Sequence, residues 1–264
     1  MKAAHRHPAE QANAKRKKKN VVASAVSAET LIASKRSDSA RYNVACRIQS
    51  MSLPLLIFLV TAPGFAAVPI SCWDAASEFN DCQKRDAANP SGVWSYGWKK
   101  NLTGRFFLAT TPFNDPPSRF GWCSASGGPA IVRNVRPVTA TVGVNPLALR
   151  AGALDLAPGL RGEYAVVRFT APTEGTYKVS GQFYAQDDND IGTTTDVWIL
   201  PNDNKTGAFS GKVDYPKGAP VASFTSVQFQ LKKEDTLDFE VGYGANKDYF
   251  YDNTGLNALI EKIK

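Results

Sequence analysis

Two groups of side chains in this sequence have the types and spacing to do chemistry. Asp187, Asp188 and Asp190, with Asn189 among them, concentrate several oxygens in a short segment. A hard cation such as Ca²⁺ takes roughly six to eight oxygen ligands, so this cluster is a candidate structural calcium site. It lacks the order of an EF-hand, since no loop glycine and distal glutamate stand at the needed spacing; a solvated acidic hairpin is the alternative. The second group is the carboxylates Glu163, Glu174, Asp238 and Glu240. Glycoside hydrolysis needs only two carboxyl groups flanking the scissile bond, so a glycan-active hydrolase is one reading of them. Asp238 and Glu240 share one strand face, where a solvated charged surface near Lys232 and Gln230 explains them without catalysis.

Imidazole chemistry is absent from most of the chain. Both histidines, His5 and His7, precede residue 68. That removes Ser-His-Asp and Cys-His nucleophiles, His-ligated zinc and His acid/base catalysis from everything after it. The expectation is therefore a protein that holds a ligand and is not an enzyme.

Aromatic residues supply the means. Trp73, Trp94, Trp98, Trp122 and Trp198 all lie after residue 67. An exposed indole has an apolar face that stacks on a sugar ring, and a polar N–H. Trp94 and Trp98 stand four apart on one strand and face the same way, which suits core residues as well as a binding face. Trp198 shares a face with Asp196 and Leu200, opposite Val197 and Ile199, and is the indole expected to be most exposed. Tyr243, Gly244, Asn246, Tyr249, Tyr251 and Asp252 form a segment able to hydrogen-bond a sugar or a partner protein, or to pack down as an ordinary hairpin. The expected ligand-binding set is Trp198, Asp196, Tyr243, Asn246, Tyr249, Tyr251 and Asp252. No cofactor is expected beyond the calcium at Asp187, Asp188 and Asp190.

Strands must position these groups. Tyr177, Val179, Gly181 and Phe183 alternate with Lys178, Ser180 and Gln182; Val227, Phe229 and Leu231 alternate with Gln228, Gln230 and Lys232; Leu237, Phe239, Val241 and Tyr243 alternate with Asp238, Glu240 and Gly242. Period-two patterning of this kind is that of half-buried strands. Further strands are expected over 93–98, 105–110, 130–135, 164–170, 195–200, 208–213 and 255–263. Residues 71–91 have weak helical character, and the Pro-rich 112–117 reads as a surface loop. Many short strands separated by turn signals predict an all-β fold: an antiparallel, jelly-roll-like β-sandwich forming a single domain over residues 68–264.

The net charge of +7 does not belong to that domain. Residues 1–67 carry 11 Lys and Arg against 3 Asp and Glu, leaving 20 against 21 for the rest. A nucleic-acid partner is therefore not expected. Residues 1–50 read as a disordered basic leader, or as an extension upstream of a translation start at Met51. Residues 51–67 read as a signal peptide, with Arg47 upstream, an apolar run from Leu53 to Val60, and cleavage after Ala66 or Ala67. The run is too short to span a bilayer, so no membrane span is expected after cleavage. The protein should be secreted or at the cell surface, extracellular or periplasmic. Export permits disulfides, and Cys72 with Cys82 is the preferred pair, although pairings with Cys123 stay open.

Several segments resemble a known group. They are Asn89-Pro90-Ser91-Gly92-Val93-Trp94-Ser95-Tyr96-Gly97-Trp98, the run Gly162 to Pro172, Gly175-Thr176-Tyr177, Gly192 to Val197, Asp235 to Phe239, and Tyr251-Asp252-Asn253-Thr254-Gly255-Leu256. Together, over about residues 75–260, they resemble exported bacterial β-sandwich proteins of unassigned activity, many with a PEP-CTERM sorting tail. The final strands also look like galactose-binding-type jelly rolls. The resemblance implies export and a sandwich fold. The chain departs from it at Ala157 and Trp198, where relatives carry histidine, and it ends at Lys264 without the sorting tail. The resulting functional expectation is a secreted, non-catalytic module for carbohydrate or extracellular matrix, with a structural or adhesive protein that binds another protein as the alternative.

Overall fold

Alternating side chains become layers in the computed structural model, which describes residues 71–142, 147–186, 192–206 and 208–264. Among these residues there are sixteen strands and no helix. They are β1 (Cys72–Asp74), β2 (Trp94–Lys99), β3 (Phe106–Leu108), β4 (Thr111–Asp115), β5 (Arg119–Cys123), β6 (Ala130–Asn134), β7 (Ala140–Val142), β8 (Leu147–Leu149), β9 (Leu154–Ala157), β10 (Tyr164–Thr170), β11 (Gly175–Ala185), β12 (Thr194–Pro201), β13 (Phe209–Asp214), β14 (Val221–Leu231), β15 (Thr236–Gly242) and β16 (Thr254–Lys262).

An eight-stranded sheet runs β14-β11-β16-β9-β6-β5-β4, with β1 also paired to β16. A six-stranded sheet runs β13-β12-β15-β10-β2-β3, and β7 and β8 make a separate hairpin. Every pairing is antiparallel. The inward residues of both large sheets form one core, in which Phe169, Val167, Phe239 and Ile199 of the smaller sheet meet Tyr177, Phe183, Leu256 and Ile260 of the larger. Each such fully buried side chain stabilises the fold by roughly 1.5–3 kcal/mol relative to exposure. The all-β, antiparallel sandwich is therefore as expected.

Four local expectations are corrected. Residues 71–91 contain β1 followed by turns: Asp74 Oδ1 accepts the backbone N–H groups of Ala76 (3.0 Å) and Ser77 (2.7 Å) as a helix N-cap would, and the turn so started is not continued as a helix. Residues 105–110 are not one strand: Ala109 donates its N–H to Tyr96 O (2.9 Å) and the chain crosses there from β3 in the small sheet to β4 in the large one. Most of the Pro-rich loop is in fact β4, with Pro116 and Pro117 in the turn after it, and Pro112 is tolerated because β4 lies at the sheet edge. The Cys72–Cys82 pair does not form. Cys82 is a free thiol whose Sγ lies 3.1 Å from Phe113 O on β4, whereas Cys72 lies against Glu261 of β16; Cys123 is also free.

The long β11–β14 pair shows how a bulge reverses a pattern. Its register shifts between Val179 and Gly181, and Ser226 takes a φ of 55°. Ala222 and Phe224 consequently point inward before the bulge, and Phe229 and Leu231 after it. Gly181 is required there: at φ 155° it packs so close to β16 that a Cβ would lie 2.0 Å from Asn257 O.

Candidate functional site

The end of the six-stranded sheet is built around Asp196. Its Oδ1 accepts the Gly244 N–H (2.9 Å), and its Oδ2 accepts the Tyr164 hydroxyl (2.8 Å) and the Trp198 indole N–H (2.9 Å). Burial and the adjacent Asp196 carboxylate raise the Tyr164 phenol pKa, so it remains a donor. Gly244 is the residue that lets the segment after β15 close onto β12. Its φ is 68°, and a Cβ would lie 1.8 Å from Thr194 O. The far end of the same segment is pinned too, since Thr194 donates its N–H to Asp252 Oδ1 (2.8 Å) and Thr193 donates its hydroxyl to Tyr251 O (3.2 Å).

Between these anchors lies an open cleft of about 220 Å³, lined by Thr194, Asp196, Lys212, Asp214, Gly244 and Asn246 among others. The β12–β13 register, with Asp196 opposite Lys212 and Thr194 opposite Asp214, supplies one wall. Residues 244–246 supply the other. Further along the same loop, Tyr249 and Phe250 sit with ring centroids 4.4 Å apart, Phe250 being 57% exposed, and Tyr251 follows at 6.4 Å. Hydroxyls, amide, ammonium and carboxylates thus line a cleft whose loop wall also carries the exposed Phe250 ring.

Of the residues singled out from sequence, Asp196 and Asn246 line the cleft, and Tyr249 and Tyr251 are on its loop. Tyr243 packs instead over Gly162, whose Cβ would meet its ring at 2.7 Å. Asp252 is 1% exposed and acts as a loop anchor. Trp198 lies on the outer face of the sheet, half-buried, its N–H held by Asp196 and its ring under Lys205 Nζ at 5.4 Å. Asp187, Asp188 and Asp190 lie outside the described residues; among the described residues no cluster of His, Cys, Asp or Glu could hold a metal ion. Sequence reasoning missed Phe250 and Lys212. The run Tyr249-Phe250-Tyr251 in a polar loop was the available signal for the first.

The other indoles are committed elsewhere. Trp94 is buried and donates to Glu78 Oε2 (3.0 Å), and Trp122 donates to Asn80 O (2.6 Å). Trp73 packs on Phe169 and Tyr177, and half-buried Trp98 stacks on Phe107 at 4.6 Å.

The outer face of the same sheet corrects a further expectation. Asp238 and Glu240 are fully buried rather than solvated. Lys99, also 0% exposed, places Nζ 2.5 Å from Asp238 Oδ2, 2.6 Å from Glu240 Oε1 and 2.5 Å from Asp203 Oδ1. Arg168 forks onto Asp238, Nε to Oδ1 at 2.6 Å and Nη2 to Oδ2 at 2.7 Å. The roof is Phe106, whose ring lies over Gly97 where a Cβ would meet it at 2.5 Å, with the Arg168 guanidinium 4.2 Å from the ring centroid. Glu163 bonds within its own turn to the Arg161 N–H (2.9 Å), and Glu174 is in the exposed turn before β11. The four carboxylates do not converge on an open cleft.

Burial pushes the Glu240 carboxyl up to about 8, against the opposing pull of Lys99 and with help from Asp238. An unfolded chain releases this proton near the ordinary 4.5, while the folded chain keeps it to about 8. Folding stability is therefore expected to fall as pH rises between those values and to be flat for this group above them. Thermal melts between pH 5 and 9 measure this, and Glu240→Gln should flatten the slope. A melting temperature that rises through the interval in the parent chain and is unchanged in slope by the variant would contradict it.

No family model matches the chain, and no curated protein matches it. Among solved structures it is similar to a family 35 carbohydrate binding module from Clostridium thermocellum, at 14% identity over 58% of this chain and 88% of that one, with a TM-score of 0.26. It is also similar to Xyl-CBM35 in complex with a glucuronic acid containing disaccharide, at 12% identity over 57% and 91%, with a TM-score of 0.27. The Podospora anserina GH26-CBM35 β-(1,4)-mannanase matches at 10% identity over 50% of this chain, with a TM-score of 0.27; only 24% of the mannanase is spanned. At such scores the likeness assigns no relative. The sandwich rests on the strand order, and nothing in these matches ties the chain to the exported, sorting-tail proteins its motifs resemble. No helix among the described residues is long and apolar enough to cross a membrane.

Proposed function

We propose that this chain is an exported, non-catalytic module that holds a polysaccharide at the Asp196 cleft and the aromatic tip beside it. The observation that carries the reading is that the pinned loop walling the polar cleft also carries the exposed Phe250 ring, packed beside half-buried Tyr249. Aromatic faces accept the apolar face of a sugar ring, while Asn246, Lys212, Asp214 and Thr194 offer donors and acceptors for its hydroxyls. Asp196 serves chiefly as the strut that holds the loop, and Trp198 braces Asp196. Export is supported by the leader pattern, and a sugar ligand by the galactose-binding-like text of the final strands.

A glycan array followed by pull-down on insoluble polysaccharides tests this. Phe250→Ala and Asn246→Ala should each weaken binding by at least about tenfold, the equivalent of ~1.4 kcal/mol. Failure of the parent chain to bind any glycan would favour the adhesive reading, in which the same rings meet a protein.

A further inference from the structure

The ionic group on the outer face of the small sheet has more structure than a salt bridge needs. Lys99, Asp238 and Glu240 are each 0% exposed, and a lysine amine nitrogen touches two carboxyl groups at 2.5 and 2.6 Å. Glu240 Oε2 is buried with no hydrogen-bond partner. An aromatic roof, Phe106 over Gly97, excludes water from this side. A lysine nitrogen one proton transfer from its amine form, a carboxyl electrophile and a second carboxyl able to carry a proton are thus held in contact, buried from solvent. Those are the requirements for amide formation, which in water is opposed by solvation of both ions and by the water that the reaction releases.

We infer that Lys99 and Asp238 condense to an intramolecular amide that joins β2 to β15, with Glu240 as the proton carrier. The step balances without an oxidant or co-reactant. The Lys99 ammonium first passes a proton to the Asp238 carboxylate, which leaves an amine facing a neutral acid. The Nζ lone pair then forms the N–C bond at Cγ. A second proton leaves nitrogen for Glu240 Oε1 as Glu240 delivers its own proton to the departing hydroxyl. The C–O bond breaks, water leaves, and Glu240 is again a neutral acid. Arg168, forked across both oxygens of Asp238, holds the negative charge that gathers on them in the tetrahedral intermediate.

Three observations select this bond. Glu240 is held protonated at neutral pH by burial, as a carrier must be. Asp203, the other carboxylate on Lys99, is 38% exposed and its carboxyl is held below the usual range, burial being outweighed by Lys99 and its neighbours; it remains an ionised, hydrated and poor electrophile. Charge decides between Asp238 and Glu240. Joining Lys99 to Asp238 removes one buried cation and one buried anion and leaves Arg168 paired with Asp203. Joining it to Glu240 would leave Asp238 and Asp203 to share Arg168 alone. The Asp238 product also places an amide N–H and C=O beside Glu240, which gives its Oε2 a partner.

Mass spectrometry of the folded full chain tests the inference directly. The intact mass should be short by one water, and proteolysis should yield a branched peptide joining Lys99 to Asp238 in place of the two linear ones. Glu240→Gln should restore the full mass. Asp238→Asn should lose ammonia instead of water and arrive at the same linked mass as the parent, a result that a merely structural aspartate would not give. The parent chain alone is decisive if the variants fold poorly. A full-length mass with linear Lys99 and Asp238 peptides would overturn the inference, and so would a link from Lys99 to Asp203 or Glu240.

Discussion

Lys99→Met is expected to cost about 3–5 kcal/mol of folding stability, the usual consequence of removing one partner from a buried ionic group. Methionine fills similar space, so the loss isolates the nitrogen from the packing of its stem. Asp238 and Glu240, both 0% exposed, would then face only Arg168, which is already committed to Asp238 through both its Nε and Nη2. Where the nitrogen has been taken into the Lys99–Asp238 amide, the variant loses that cross-link as well as the contact with Glu240, so the cost is at least as large. The cost should shift the melting temperature by roughly 6–20 °C for a domain of this size. Urea denaturation followed by tryptophan fluorescence measures it. A loss below about 1 kcal/mol, the range of an exposed ion pair, would show that water reaches the cluster.

How much of this was legible in the sequence depended on whether the information was local. Tyr164 to Thr170 is a short run rich in β-branched and aromatic residues and has the bounds read from the text alone. The β14 strand begins six residues before the alternation used to find it, because the bulge at Ser226 flips the inward positions halfway along. Pro112 obscured β4 since proline is a strand breaker everywhere except at an edge, and edge position is a tertiary fact. The same distinction holds at the site. Asp196 and Asn246 were named from their residue types, and the fold brings them to one cleft. The Lys99 cluster was not legible. Its members come from β2, β10, β15 and the turn after β12, and only the sheet order β12-β15-β10-β2 brings them together. Period two correctly placed Leu237, Phe239 and Val241 inward, but it says nothing of a second covering layer formed by Phe106 and Arg168 over the opposite face.

Phe169→Ala should cost a comparable ~3–5 kcal/mol, the range for emptying a buried aromatic site. The reason lies in who its neighbours are. Phe169 on β10 is 0% exposed, and its ring has the Trp73, Trp94 and Tyr177 rings at centroid distances of 5.3, 5.4 and 5.6 Å. Those three come from β1, β2 and β11, so one side chain couples the small sheet to the strand at the start of the large sheet and to its longest pair. The neighbours cannot close the gap cheaply. Trp94 is tethered through its N–H to Glu78, and the Tyr177 hydroxyl is tethered to Thr173 O (2.6 Å). Phe169→Leu keeps most of the volume and should cost well under half as much. Urea denaturation of both variants gives the comparison. Near-equal losses would mean that the four rings are held by their edges alone and that the hole left by alanine collapses. The cleft lies at the opposite end of β10 from Phe169, beside Tyr164, so the surviving folded fraction of Phe169→Ala should retain its Asp196–Tyr164 strut and with it the loop geometry.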